Sequence, residues 1–450
     1  MRALLCLLLL PLLCACASTD FRVLEINSLS YSAPGEGQFD GLEALASRAP
    51  RTSTQRVNIM FLHGIGAIEN ADADPLANNF IQGIAKAYGL ETEDRSVSSL
   101  CGRDPSESDT ARSRLYITQP TARRFTTALG GQLSLDRLVC MDRQVLSVRG
   151  DLEYVIYRVF WDEIFWQALQ LPHLGQDRGT TADGVATAGA PLLRKRINRD
   201  LKDELVNYGF SDAVLYLGPA GADIRSAISG AMCAAALDAN GFALTAQGPE
   251  VDFNTACERA SSTDFDIDPF AFVAESLGSK IAFDVMRGHM TDGRTGVHDR
   301  MIAGTQLFML ANQLPLLGLS DLADGAPFSR SDYDAADRPA IIAFSEVNDF
   351  LTYELVPFYE QLYSFAEPDA AGDRRAIAER LGFDITDMRV EFAEPLVPFL
   401  SGFVDPLFAH NGHVKQPEVM EYILCGAQGR SVAWTGCRIS TPARARKPVK

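Results

Sequence analysis

The sequence predicts an α/β chain: a mostly parallel central sheet with helices on both faces. Two observations lead there. Short apolar runs of strand length alternate with stretches whose apolar residues recur at three- and four-residue steps. The runs themselves, such as Val57-Asn58-Ile59-Met60-Phe61-Leu62 and Phe270-Ala271-Phe272-Val273-Ala274, lack strict in–out alternation, as strands buried on both sides do. With 450 residues, 47% of them hydrophobic, the chain can bury a large core, and 22% charged residues exclude a disordered protein. The formal net charge of −17 argues against a nucleic-acid partner, because such a surface repels phosphates. There is no internal repeat and no Rossmann or P-loop glycine motif.

Taken in order, the chain opens on a targeting segment, residues 1–15. Arg2 is a short basic start, and Leu4 to Leu13 is an apolar stretch too short to span a bilayer as a helix. Residues 16–50, rich in Ser, Gly, Pro and Ala, read as a tether and irregular lead-in. A single domain is expected over 51–437, with insertions at about 95–150, 163–210 and 293–337 and a basic, flexible tail over 438–450. Arg56 to Leu62 is the first buried strand and ends at His63-Gly64-Ile65-Gly66. Asp74-Pro75 is an N-cap with proline at the first helical position, and the helix it starts closes at Gly89. Tyr154 to Trp161 is a second strand. Ile164, Phe165, Trp166, Leu169 and Leu171 fit a packed helix or a lid. Ala213 to Leu217 is expected as a third strand, with a helix over about 222–238.

Phe270 to Ala274 is the next strand. It stops at Ser276, and Leu277 to Met286 then follow a helical pattern in which Ile281, Val285 and Met286 share a face. Strand, sharp turn and helix form the geometry of a nucleophile elbow, which lifts a serine hydroxyl above a sheet beside free helical N–H groups. Ala274 and Gly278 flank the serine at minus two and plus two, where bulk would clash. Residues 301–319, rich in Met, Phe and Leu, are a candidate cap over a pocket or a buried core helix. Pro339 to Phe344 is a strand that leads to Glu346 and Asn348-Asp349. Met388 to Phe392 is the last strand, leading to His410-Asn411-Gly412-His413 and a helix over 417–424.

Serine is a weak nucleophile and needs a base, a group to orient the base, and donors for the oxyanion. The chain offers each after a strand, in the order Ser, Asp, His. On Phe61-Leu62-His63-Gly64-Ile65-Gly66, Glu275-Ser276-Leu277-Gly278-Ser279, Asn348-Asp349 and Ala409-His410-Asn411-Gly412, the sequence resembles serine esterases and lipases of the α/β-hydrolase fold. That resemblance implies Ser276 as nucleophile, His410 as general base and then acid, and Asp349 as the group that orients the imidazole. It also implies an oxyanion hole from the backbone N–H groups of Leu277 and Ile65, with His63, Gly64 and Gly278 supporting it. His413 is the alternative base; His410 is preferred because Ala-His-Asn-Gly matches the family's final loop. Glu346 and Asp405 compete with Asp349. His173, His289 and His298 have no strand-end context and read as surface or packing residues. Ala274 stands where the family has a glycine, and Glu275 where lipases often have a histidine.

Leu13-Cys14-Ala15-Cys16 resembles the lipobox of bacterial lipoproteins, which implies cleavage before Cys16, lipidation of Cys16 and, with Ala17 following, transfer to an outer membrane. A plain secretory signal cut near Ala17 is the alternative. Either implies export. Cys101, Cys140, Cys233, Cys257, Cys425 and Cys437 then remain, an even number in an oxidising compartment; of fifteen connectivities, nearest neighbours are expected, as Cys101–Cys140, Cys233–Cys257 and Cys425–Cys437. Free buried thiols are the alternative. No spacing points to a metal or organic cofactor. The expected partners are a small-molecule ester or lipid substrate and the membrane that holds the anchor. Thioester or amide cleavage and acyl transfer would use the same residues. A non-catalytic envelope lipoprotein on a hydrolase scaffold is the alternative of another class.

Overall fold

A computed structural model of the chain describes residues 21–32, 37–49, 54–64, 75–90, 114–117, 124–126, 132–134, 139–161, 210–240, 253, 257, 267–291, 296–319, 333–334, 337–366, 372–393, 406–427 and 437. Its elements begin with β1 (Arg22–Leu29), α1 (Leu42–Ala46), β2 (Gln55–Leu62) and α2 (Pro75–Ala87). After these come β3 (Arg114–Ile117), β4 (Val139–Arg149), β5 (Leu152–Phe160), α3 (Ser211–Leu217) and α4 (Ala220–Ala239). The next are β6 (Phe270–Glu275), α5 (Leu277–Thr291), α6 (Val297–Ile302), β7 (Gln306–Leu310), α7 (Leu314–Leu317) and β8 (Ala340–Glu346). Then follow α8 (Leu355–Ala366), α9 (Arg374–Leu381), β9 (Asp384–Glu391), α10 (Pro406–Asn411) and α11 (Pro417–Cys425).

Nine strands form one sheet in the order β1-β9-β8-β7-β6-β2-β5-β4-β3. From β9 to β5 every pairing is parallel. β1 closes one edge antiparallel to β9, and the β5-β4-β3 meander closes the other. Both faces of the parallel strands are covered, so successive residues alternate between two cores. Met60, Phe272, Met309 and Ala343 face one core, with α4, α5, α8 and α9 packed on it. Ile59, Phe61, Val273, Phe308 and Phe344 face the other, under α1, α2 and α11. This is the mixed α/β architecture, with a mostly parallel sheet, that the buried runs predict.

Five readings change. Ala213–Leu217 is the end of helix α3, not a strand: Ala213 and Tyr216 are buried while Val214 is 72% exposed, a three-residue step that an extended run buried in a sheet does not have. The segment 301–319 is neither a cap nor a core helix. Its Gln306–Leu310 run is β7, fully buried between β6 and β8. A short, mostly apolar run fits a buried strand and a helical segment equally, and only its neighbours decide. The lead-in contributes β1 and α1, because Ile26, Leu29, Leu42 and Leu45 are all buried in the cores. The expected insertion 95–150 contributes β3 and β4 to the sheet, and 293–337 contains β7. β9 starts at Asp384, earlier than its apolar residues indicate, since Asp384 and Asp387 are spent on neighbours: Asp387 accepts the N–H groups of Leu355 and Val356 at the start of α8, at 3.0 and 2.6 Å.

Disulfides join Cys233 to Cys257 and Cys425 to Cys437, two of the three expected pairs. Cys16, Cys101 and the side chain of Cys140 lie outside the described residues, as do the targeting segment, residues 162–209 and the tail. Among the described residues no helix is long and apolar enough to cross a membrane.

Candidate active site

All six parallel strands end at the same edge of the sheet, and Ser276 and Asp349 lie on the turns that follow two of them. Ser276 follows β6 directly. It has φ +51°, in the left-handed region that a residue with a Cβ rarely enters, at a cost of about 1–3 kcal/mol. Three bonds hold it there. Its N–H donates to the Leu310 carbonyl of the adjacent strand at 2.9 Å, its carbonyl accepts from the Ser279 N–H at 3.0 Å, and the Ser279 hydroxyl donates back to the Ala274 carbonyl at 3.1 Å. α5 begins at the next residue, Leu277, so the Leu277 N–H is one of the helix's unpaired first donors.

Space above the serine is set by glycines. A Cβ on Gly64 would lie 2.8 Å from Ser276 Cβ and 3.4 Å from its Oγ. One on Gly278 would lie 2.5 Å from the His63 carbonyl oxygen and 2.7 Å from that of Leu62. The end of β2 therefore runs in direct contact with the elbow, and only glycine permits it at both places. His63 Nδ1–H donates to the Gly64 carbonyl at 2.9 Å. The His63 ring is thus engaged with the backbone of its own loop. Ile65 lies outside the described residues.

Asp349 lies three residues past β8, two strands from the serine. His410 is in α10, reached after β9, and its Nδ1–H donates to Asp349 Oδ2 at 2.8 Å. The same oxygen accepts the Thr352 hydroxyl, and Oδ1 accepts the Leu351 N–H at 2.9 Å. Burial pushes the Asp349 carboxyl up. The hydrogen bond and charge of His410, then the bonds from Thr352 and Leu351, outweigh burial and hold the carboxyl below its ordinary range. With Nδ1 carrying a proton towards a carboxylate, neutral His410 has its lone pair on Nε2, the tautomer a general base requires. His410 Nε2 and Ser276 Oγ are both buried and have no hydrogen-bond partner among the described residues.

The competitors are engaged elsewhere. His413 Nδ1–H donates to the His410 carbonyl at 3.1 Å, and its ring meets Phe392 edge-on at 5.1 Å. Burial pushes its imidazole down to about 4, so it is neutral at pH 7. Glu346 takes the Asn348 N–H and, at 3.3 Å each, the Phe392 and Ala393 N–H groups. It ties the end of β8 to the chain after β9, where Phe392, Ala393 and Ala409 pack together beneath His410. Asp405 and His173 lie outside the described residues. His289 and His298 stack on each other at 4.2 Å and bond to Ser229, away from this edge. Glu275 is buried and pairs in register with Leu310.

Sequence reasoning missed three residues. Thr352 braces Asp349. Asn312, after β7, ties two turns together: its Nδ2 donates to the Tyr353 carbonyl at 2.8 Å, and its backbone carbonyl accepts the Tyr353 N–H at 3.3 Å. Trp161 binds the His63 carbonyl at 3.1 Å. Only the Asx-like step Asp349–Thr352 leaves a local signal; the other two join segments far apart in sequence. A cavity of about 190 Å³ lined by Pro269, Met301 and Gly304 lies at the opposite, N-terminal ends of the strands and touches none of these residues. Among the described residues no cluster of His, Cys, Asp or Glu could hold a metal. The chain matches no protein-family model, no curated protein and no solved structure.

Proposed function

We propose that the chain is a serine hydrolase of the α/β-hydrolase type, cleaving carboxylic esters through an acyl-enzyme. The observation that carries this reading is Ser276: a serine held at positive φ on a strand-to-helix turn, a conformation with an energetic cost, whose hydroxyl has no hydrogen-bond partner among the described residues. The Asp349–His410 pair on the same sheet edge supports it. In the proposed cycle His410 Nε2 takes the Ser276 proton as Oγ attacks the ester carbonyl carbon. Asp349 stabilises the imidazolium. The Leu277 N–H, with the Ile65 N–H expected from the sequence, faces the oxyanion. His410 then protonates the leaving alkoxide, and the same base activates water to release the acid. Export and a lipid anchor on Cys16 belong to this proposal. The two disulfides support export, since such bonds persist in oxidising compartments.

One observation favours a second reading, a non-catalytic lipoprotein on the same scaffold: among the described residues Ser276 Oγ and His410 Nε2 make no hydrogen bond. Such bonds are often long without substrate, so this weighs less than the elbow. A fluorophosphonate probe separates the two. Labelling of the wild type that is lost in Ser276→Ala supports the hydrolase; folded wild type that stays unlabelled favours the scaffold. A chain-length series of p-nitrophenyl esters then bounds the acyl pocket.

A further inference from the structure

We propose that Trp161 is a positioning residue for the reaction, acting through the backbone of His63 and Gly64; this rests on the hydrolase reading above. Trp161 directly follows β5, which pairs in parallel with β2 so that Val159 lies opposite Leu62. This places Trp161 beside the His63-Gly64 turn. The ring stacks on the His63 imidazole, with centroids 5.2 Å apart and planes within 10°, and the indole N–H donates to the His63 carbonyl at 3.1 Å. The side chain is fully buried.

That carbonyl is the hinge between the two halves of the site. On its other side lies α5, so close that a Cβ at Gly278 would stand 2.5 Å from the oxygen. The His63 peptide is therefore clamped between the indole and the first turn of the elbow helix. The next residue, Gly64, rests on Ser276 itself. Because a peptide unit is planar, turning the His63 carbonyl turns the N–H of Gly64 with it and shifts the Gly64 backbone against the serine. Without the indole N–H, the His63 carbonyl loses this bond and its peptide gains freedom beside the nucleophile. Trp suits the position because its ring packs like an apolar side chain while its one polar atom is only a donor.

The test separates this bond from bulk packing. In the full chain, Trp161→Phe keeps a ring for stacking and removes the N–H. Replacement of Trp161 by benzothienylalanine keeps the bicyclic shape and removes only the N–H, and it serves if the Phe variant does not fold. Turnover of p-nitrophenyl butyrate is measured with inhibition by an alkyl boronic acid, which mimics the tetrahedral intermediate once bound to Ser276. The expectation is a fall in kcat of about 10- to 100-fold with KM little changed, since ångström-scale misplacement costs up to about 10²-fold. Boronate affinity should fall by the same factor as kcat/KM, while the denaturation midpoint of the benzothienyl variant stays near wild type. Wild-type kcat and boronate affinity in either folded variant overturn the proposal and leave the hydrolase reading intact. Wild type that neither turns over ester nor labels overturns both.

Discussion

Gly278→Ala tests how closely the end of β2 and the elbow are fitted. The added Cβ would stand 2.5 Å from the His63 oxygen and 2.7 Å from the Leu62 oxygen, against an ordinary contact of 3.4 Å or more. The overlaps are 0.9 and 0.7 Å (3.4 less 2.5 and 2.7), and both neighbours are backbone, so no side chain can swing aside. Either α5 or the end of β2 must move by close to an ångström. Overpacking of this kind costs about 1–3 kcal/mol of stability. Displacing the serine from its donors by that distance costs about 10²-fold in rate. The control is Gly288→Ala, in the same helix, where a Cβ meets nothing within 4 Å. There alanine should stabilise by up to about 1 kcal/mol through helix propensity. The assay is the rate of Ser276 labelling by a fluorophosphonate, paired with urea unfolding. A Gly278→Ala protein that labels and unfolds like wild type, or a Gly288→Ala protein equally impaired, would refute the reasoning.

Two further predictions concern the Asp349–His410 dyad and its neighbour His413. Asp349→Asn can offer an amide N–H to His410 Nδ1, which favours the tautomer with the proton on Nε2 and removes the base; labelling at pH 7 should slow by about 10³–10⁴-fold with the fold retained by circular dichroism, and a change under 10-fold speaks against Asp349 as the orienting acid. His413 protonates near 6.5 when unfolded but only near 4 when folded, so the unfolded chain binds the extra proton between those values and stability is lost as pH falls through that window, by about 3 kcal/mol in all. His413→Gln should flatten the slope of unfolding free energy against pH between 6.5 and 4, and curves that stay parallel would count against a buried neutral imidazole.

Much of the site is legible in the chain because its parts sit where local chemistry is most constrained. Ser276 ends a short apolar run and starts a helical one, with small residues on either side. His63-Gly64 ends another run, and Asp349 and His410 each follow a strand. What hides is what local pattern does not encode. β7 is a glutamine and four apolar residues in a longer apolar segment, and its identity as a strand comes from β6 and β8 on either side. α3 carries strand-like residues, and its burial alternates with the helical step only because α4 and α5 back one of its faces. The candidate bases His410 and His413 lie three residues apart, and Glu346 and Asp349 likewise. Composition ranks neither pair. Orientation does: α10 turns His410 towards Asp349, while Glu346 is spent on the N–H groups of Phe392 and Ala393.

The sequence by itself determined the class of sheet, the elbow at Ser276 and the order of the chemical groups, because periodicity, glycine and turn residues act over a few positions. The tertiary structure decided which histidine meets which carboxylate, that β7 lies between the serine and the acid, and that Trp161 and Gly278 hold the His63 carbonyl from opposite sides. These are contacts between residues up to about two hundred positions apart. They depend on how six parallel strands bring their ends to one edge, which no local pattern records.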